Sequence, residues 1–188
     1  MGEVKSTLEI ALEKADALKV SSEDRKRFKH EEALSRARDI LRLYTNDPQK
    51  SSGIEETIQE SGEDRTLLQQ CLTEVFLEAL DPSHTSEVIW EGLGELGLRD
   101  AGSFQAALTR IAEEHAGALK EEAEKIGGML RDSLAKAGIS GTAVEPNVEQ
   151  SPQWEEIANR LDQARAAQLD RLRREIATAI EKNSSSPR

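Results

Sequence analysis

Residues 154–180 read WEEIANRLDQARAAQLDRLRREIATAI, and apolar side chains recur along them at helical spacing. The steps of four, three, four, four, three, four and four residues give the stripe Trp154, Ala158, Leu161, position 165, Leu169, Leu172, Ile176 and Ile180. An 11-residue repeat of this kind stays close to one side of a straight α-helix. The stretch therefore predicts one long amphipathic helix, with Ser151 as N-cap and Pro152 as first helical residue, that runs to about residue 182.

The same spacing occurs in residues 103–137. The corresponding stripe is Phe104, Leu108, Ile111, His115, Leu119, position 122, Ile126 and Leu130. A helix gains most of its stability in a protein by packing its apolar face, so neither helix is expected to stand alone. We expect the two to form a long antiparallel helical hairpin over residues 101–182. An ordered connector, 138–150, joins them after Gly138, a typical left-handed C-terminal residue.

Each stripe is interrupted once by a charged residue, Glu122 in the first helix and Arg165 in the second. Facing residues of an antiparallel hairpin have a constant sum of residue numbers, and a connector centred near 144–145 sets that sum at about 289. The numbers of Glu122 and Arg165 add to 287, which predicts that they face each other as a buried polar pair that fixes the register. The alternative is that each side chain extends to solvent independently.

The remaining sequence also has helical periodicity, and β-branched residues nowhere alternate long enough to predict a strand. We expect an all-α helical bundle that contains the long hairpin. Its predicted segments are an N-terminal helical pair (1–47), a linker with a short helix at 54–60 (48–62), an acidic helical hairpin (63–100), the long hairpin (101–182) and a disordered tail (183–188). In the first segment, residues 3–18 place Leu8, Ala11, Leu12, Ala15 and Leu18 on one face.

Composition and charge narrow the class of protein. The chain has 188 residues, of which 32% are charged and 3% aromatic, a mixture that favours amphipathic helices over a thick globular core. Of the net charge of −11, residues 51–100 contribute −10, from twelve acidic and two basic side chains. This segment is either a solvated surface or a docking face for a basic partner. Nucleic acid is not an expected partner, because its binding needs a basic face.

The N-terminus and the hydropathy indicate a cytoplasmic location. Charged residues interrupt the apolar part of MGEVKSTLEIALEK, unlike a secretory signal, and no apolar run approaches the roughly 18 residues of a membrane span. A single cysteine, Cys71, excludes an internal disulfide framework.

Few residues could carry chemistry. His115 lies on the apolar stripe, but a carboxylate-bridged metal bundle would need glutamate at position 112, where the chain has alanine. Three scattered histidines and one cysteine do not make a zinc set, and Cys71 is expected to be a core thiol. We therefore predict no catalytic residue, no metal site and no cofactor.

Interaction is the preferred hypothesis for function. Ile139 and Val144 bring apolar side chains into the connector, and Trp90 is a third candidate interaction residue. We expect a non-enzymatic cytosolic helical protein, such as an adaptor, assembly factor or accessory subunit, that binds a protein partner or itself through helices. The alternative is a helical bundle that binds a small ligand or a metal in a pocket near His115, Glu122 and Arg165.

The first 15 residues, MGEVKSTLEIALEKA, carry a resemblance. They resemble the N-termini of a group of short, all-helical bacterial proteins of unknown function, which begin with Met-Gly-Glu, a hydrophobic residue and Lys-Ser before an amphipathic helix. The resemblance implies a bacterial cytosolic origin. It transfers no site residues, because the group has no assigned activity.

Overall fold

The computed structural model describes residues 21–46, 53–84, 86–139, 141 and 145–184. The predicted helix at 3–18, Val144 and the end of the tail lie outside these residues. Six α-helices are present in the described part: α1 (Ser22–Asn46), α2 (Ile54–Glu60), α3 (Arg65–Glu78), α4 (Glu87–Glu95), α5 (Ala101–Lys136) and α6 (Pro152–Ser184). Short 3-10 turns occur at Gly62–Asp64 and Val148–Gln150, and no strand occurs among these residues. The all-α prediction is confirmed.

All six helices contribute to one hydrophobic core. Helix α3 supplies the largest set of buried side chains, Leu68, Cys71, Leu72, Val75, Phe76 and Leu77. The other helices add Ala33, Ala37 and Tyr44 from α1, Ile54 and Ile58 from α2, Ile89, Trp90 and Leu93 from α4, Leu108 and Ile111 from α5, and Leu172, Ile176 and Ile180 from α6. The six described helices therefore share one core.

Helices α1 and α3 lie side by side and run in the same direction. Near their N-terminal ends, Lys29 Nζ is 3.0 Å from Asp64 Oδ1. Near their C-terminal ends, the rings of Tyr44 and Phe76 meet edge to face with centroids 5.9 Å apart. The N-terminus of α1 is capped by Ser21, because the backbone N–H of Asp24 donates to Ser21 Oγ at 3.0 Å.

The carboxylate of Glu95 joins three helices. Tyr44 Oη donates a hydrogen bond to Glu95 Oε1 at 2.8 Å, and the first N–H of α2, on Ile54, donates to Oε2 at 2.7 Å. One carboxylate at the end of α4 thus fixes the end of α1 and the start of α2. Burial, followed by the hydrogen bond to Glu95, raises the pKa of Tyr44, so the phenol stays a donor.

The C-terminal half of α6 is attached to the core by polar contacts as well as by its apolar stripe. Arg173 Nη2 donates to the carbonyl oxygens of Glu78 and Leu80 at 3.1 and 3.0 Å, which satisfies acceptors at the end of α3. Further along α6, Asn183 Nδ2 donates to the carbonyl of Gly97 at 2.9 Å. These contacts attach α6 to the end of α3 and to the residues that follow α4.

Helices α3 and α4 approach closely at Gly92. A Cβ at this position would lie less than 3.0 Å from three ring atoms of Phe76, Cδ1, Cε1 and Cζ. Phe76 is fully buried, so its ring has no free direction in which to move. By contrast, a Cβ at Gly94, two residues later on α4, would meet nothing within 4 Å.

We predict that Gly92→Ala destabilises the protein by roughly 1–3 kcal/mol, because the added methyl overpacks the core against the Phe76 ring. The matched control is Gly94→Ala, which adds the same methyl in open space. It should be neutral or stabilising by up to about 1 kcal/mol, because alanine is the better helix former. Chemical denaturation of both variants measures the difference. Equal stability of the two variants would contradict the close approach of α3 and α4.

Candidate interaction surface

Helices α5 and α6 form the predicted antiparallel hairpin, and both stripes lie on its inner side. Every predicted stripe position in α5 and α6 is buried or half-buried. Only one part of each stripe belongs to the core. In the core cluster, Ile111 is the last residue of α5 and Leu169 is the first residue of α6. We call residues 112–136 and 152–168 the distal arm. At 1.5 Å per residue, its α5 half extends about 37 Å beyond Ile111.

After α5 ends, the last residues of the connector lie alongside α5. Gly138 ends α5 in the left-handed region, with φ of 80°, as its position in the sequence predicts. The N–H groups of Gly138 and Ile139 donate to the carbonyls of Ala135 and Leu134 at 3.0 and 2.9 Å, which is the Schellman arrangement. The chain then returns along α5 and forms the 3-10 turn Val148–Gln150 before α6 begins.

The returning segment packs against Gly127. Val148 Cγ2 lies 3.5 Å from the place that a Cβ would occupy at Gly127, and Gly127 is buried. The absence of a side chain at Gly127 thus permits a close approach between α5 and Val148. The last turns of α5 consequently extend past the start of α6.

This return shifts the register of the hairpin. His115 Nε2 lies 2.9 Å from Asp162 Oδ1, and the numbers of these two residues add to 277. Glu122 instead contacts Lys125 of its own helix, with Oε1 3.0 Å from Nζ. Arg165 contacts Asp162, also on its own helix, at 3.8 Å. The structure therefore does not bring Glu122 and Arg165 together, and it buries neither of them.

The prediction that Glu122 and Arg165 form a pair is wrong, and the path of the connector explains why. The predicted sum of 289 assumed that the midpoint of the connector is also the midpoint of the hairpin. Because Val148 packs against Gly127, residues 145–150 run alongside α5 and do not bridge its end. At a sum of 277, Glu122 is level with residue 155, ten residues from Arg165, or about 15 Å along the axis.

His115 is largely enclosed by the arm, and its side chain is 11% exposed. Although Nε2 is close to Asp162 Oδ1, the ring N–H is not directed at the oxygen, so this buried nitrogen makes no hydrogen bond. No three His, Cys, Asp or Glu side chains in the described ranges are arranged to hold a metal ion. Cys71 is buried, and burial raises the pKa of its thiol, which disfavours the nucleophilic thiolate.

The three candidate interaction residues have different outcomes. Ile139 is 52% exposed at the end of the distal arm. Trp90 is only 5% exposed and lies in the core, so its candidacy for a partner contact is corrected. It is buried because α4 turns Ile89, Trp90 and Leu93 toward α3 and its neighbours. Val144 lies outside the described residues.

Met129 was not anticipated from the sequence. It is 55% exposed on α5, at the edge of the stripe and near the end of the arm. The signal that could have found it is its position three residues after Ile126 and one before Leu130, which places it beside the apolar row. Together with half-buried Leu130 and Trp154, it leaves apolar surface on the arm incompletely covered.

A charged surface lies on α2 and α4. Helices α2 and α4 pack against each other, and Glu55, Glu56 and Glu60 on α2 are exposed, as are Glu87 and Glu91 on α4. The negative charge of residues 51–100 is therefore presented to solvent on neighbouring helices.

In comparisons with known proteins, no family model, curated protein or solved structure matches the chain. Within the described ranges, no helix combines the length and the apolar character that crossing a membrane requires. The distal arm consists of two packed helices whose shared stripe continues beyond the core, with exposed apolar side chains near the end.

The register can be tested by chemical crosslinking of two double-cysteine variants. We predict that a short bis-maleimide crosslinks the double variant His115→Cys, Asp162→Cys efficiently. The span of the reagent should not exceed the combined length of the His115 and Asp162 side chains, which contact each other in the native protein. Glu122→Cys with Arg165→Cys should not be bridged by the same reagent, because the two positions lie about 15 Å apart along the arm. Buried Cys71 is common to both variants, and single-cysteine variants control for its reaction. Efficient crosslinking of the Glu122→Cys, Arg165→Cys variant would contradict the observed sum of 277 and support the predicted sum of about 289.

Proposed function

We propose that this protein is a non-enzymatic, cytosolic helical interaction protein, of the adaptor, assembly-factor or accessory-subunit kind, whose distal arm binds a protein partner. The observation that carries the proposal is the half-covered apolar stripe of an arm that extends beyond the core. Solvent-exposed apolar surface on a helical element is a common feature of sites that take a partner helix.

The chemistry of the arm supports a protein partner. Four large apolar side chains among the described residues are more than half exposed, Phe28 and Leu43 on α1 and Met129 and Ile139 at the arm. The last two are the ones that bear on the arm. They occur near the end of the arm, where a partner can reach them without disturbing the core. Methionine also adapts to varied apolar surfaces because its side chain is flexible and polarizable.

The acidic surface of α2 and α4 supports a further part of the proposal, a basic partner or a basic region of the same partner. Exposed carboxylates on both helices would speed association with such a surface and make the association sensitive to salt. The same charge disfavours nucleic acid. A bacterial origin rests on the resemblance of residues 1–15.

The alternative of a small-ligand or metal-binding bundle has less support. It requires His115, Glu122 and Arg165 to line a common pocket, but Glu122 contacts Lys125 on α5, and Arg165 contacts Asp162 near His115. No observation on the described residues favours a ligand at this place over a packed pair of helices.

The test compares tagged full-length proteins expressed in the source organism. We predict that wild type retains a protein partner in stoichiometric amount and that Met129→Glu with Ile139→Glu loses it, because two charges on the arm oppose burial of its apolar surface. The control is Ala116→Glu with Ala135→Glu, which adds the same charge at exposed α5 positions away from the stripe. This control should retain the partner.

Native mass spectrometry of the purified proteins gives the readout, and far-UV circular dichroism checks that helicity is equal. The same bound proteins in all three samples, or no stoichiometric protein in any, would contradict a role for the arm. A bound small molecule in place of a protein would favour the ligand-binding alternative.

A further inference from the structure

One face of α5 in the distal arm combines an exposed methionine with charged side chains of both signs. Its residues recur at steps of four, three, four, three and four, which keeps them on one side of the helix. They are Ala118, Glu122, Lys125, Met129, Asp132 and Lys136. Ala118 and Glu122 are half-buried, and the other four are exposed. We call this row the Met129 face.

On the Met129 face, charges of opposite sign are placed symmetrically about Met129. Glu122 lies seven residues before Met129, and Lys136 lies seven residues after it. Closer to the centre, Lys125 lies four residues before Met129 and Asp132 three residues after it. Each charge therefore has an opposite charge at the same distance on the other side of Met129, to within one residue.

These opposite charges do not meet within one chain. Glu122 and Lys136 are fourteen residues apart, which is about 21 Å along the axis of α5. In the part of the chain that the structure describes, Asp132 and Lys136 form no ion pair. Glu122 contacts Lys125 at 3.0 Å, an exposed pair of a kind that contributes little stability and can be exchanged for a contact across an interface.

We propose that a second copy of this chain docks on the Met129 face, antiparallel to the first and related to it by a two-fold axis at Met129. This inference rests on the proposed function and names the partner of the arm. The numbers of Glu122 and Lys136 add to 258, which is twice 129, so each faces the other residue of the second copy. Lys125 and Asp132 add to 257 and face each other in the same way. One two-fold axis thus brings four pairs of opposite charges together.

The same arrangement covers both exposed apolar side chains of the arm. The two Met129 side chains, each 55% exposed in the single chain, meet at the axis. Ile139 is 52% exposed and lies ten residues after Met129, so it comes level with residue 119 of the second copy. Half-buried Ala118, a small side chain, leaves room there for Ile139.

The charge pattern distinguishes this arrangement from a parallel one. A parallel copy in register would place Glu122 opposite Glu122 and Lys136 opposite Lys136. Contacts between like charges oppose association. The Met129 face is therefore complementary to itself only when the second copy is antiparallel.

Reversal of the charges at positions 122 and 136 tests the proposal, with sedimentation equilibrium of the full-length protein as the readout. We expect wild type to form a dimer that dissociates on dilution. Glu122→Lys and Lys136→Glu should each weaken the dimer by roughly tenfold or more, because each change creates two contacts between like charges. The double variant Glu122→Lys with Lys136→Glu should recover the dimer, because all facing charges are again opposite. Recovery cannot arise within one chain, where the two positions are about 21 Å apart.

A mixture of the two single variants gives a second, independent result. In a mixed dimer the two new side chains face each other, and the unchanged Glu122 and Lys136 face each other. The mixture should therefore dimerise like wild type, although neither variant does so alone. The matched control is Glu124→Lys, an exposed position on the opposite side of α5, which should leave the dimer nearly unchanged. Far-UV circular dichroism checks that all variants have equal helicity.

The outcomes separate this inference from the proposed function. Wild type that stays monomeric at every concentration would overturn the second copy as partner, as would a dimer that does not respond to the reversals or is not recovered in the mixture. If such a protein still loses a different bound protein on Met129→Glu with Ile139→Glu, the arm binds another partner and the proposed function stands. If those two changes affect neither the dimer nor any bound protein, both proposals fail.

Discussion

The packing of the α5 stripe against the α6 stripe is the interaction on which the rest of the structure depends. Near the core, Leu108, Ile111, Leu172, Ile176 and Ile180 join the two helices to α3 and its neighbours. The same stripe then continues past the last core residue, where α5 and α6 pack on each other outside the core cluster of the described residues. One pattern therefore produces two environments: a fully covered core, and a distal arm whose apolar surface is only partly covered.

Features set by local chemistry could be predicted from the sequence. The stripe spacing predicted the α5 and α6 hairpin, and Gly138 predicted the end of α5, because each depends on residues within one or two turns. The register could not be predicted in this way. It depends on whether the connector bridges the end of α5 or returns along it, and the contact of Val148 with Gly127 decides that question over a distance of 21 residues.

Contacts between residues that are distant in the sequence could not be predicted either. Glu95 accepts hydrogen bonds from Tyr44 and Ile54, which are 51 and 41 residues away, and no periodic pattern relates them. The burial of Trp90 has the same origin, since it depends on the approach of α4 to α3 at Gly92. For the candidate site, the sequence indicated Ile139 but not Met129, because whether a residue at the edge of a stripe is covered depends on how far the partner helix extends.

The distal arm is a packed but incompletely covered pair of helices attached to a fully covered core. Hydrogen–deuterium exchange measured by mass spectrometry tests this arrangement most directly, because protection reports the local free energy of opening. We predict that residues 116–136 and 152–165 exchange together, faster than α3 and slower than an unstructured chain. Complete exchange of the arm at the earliest time, or protection equal to that of α3, would contradict it.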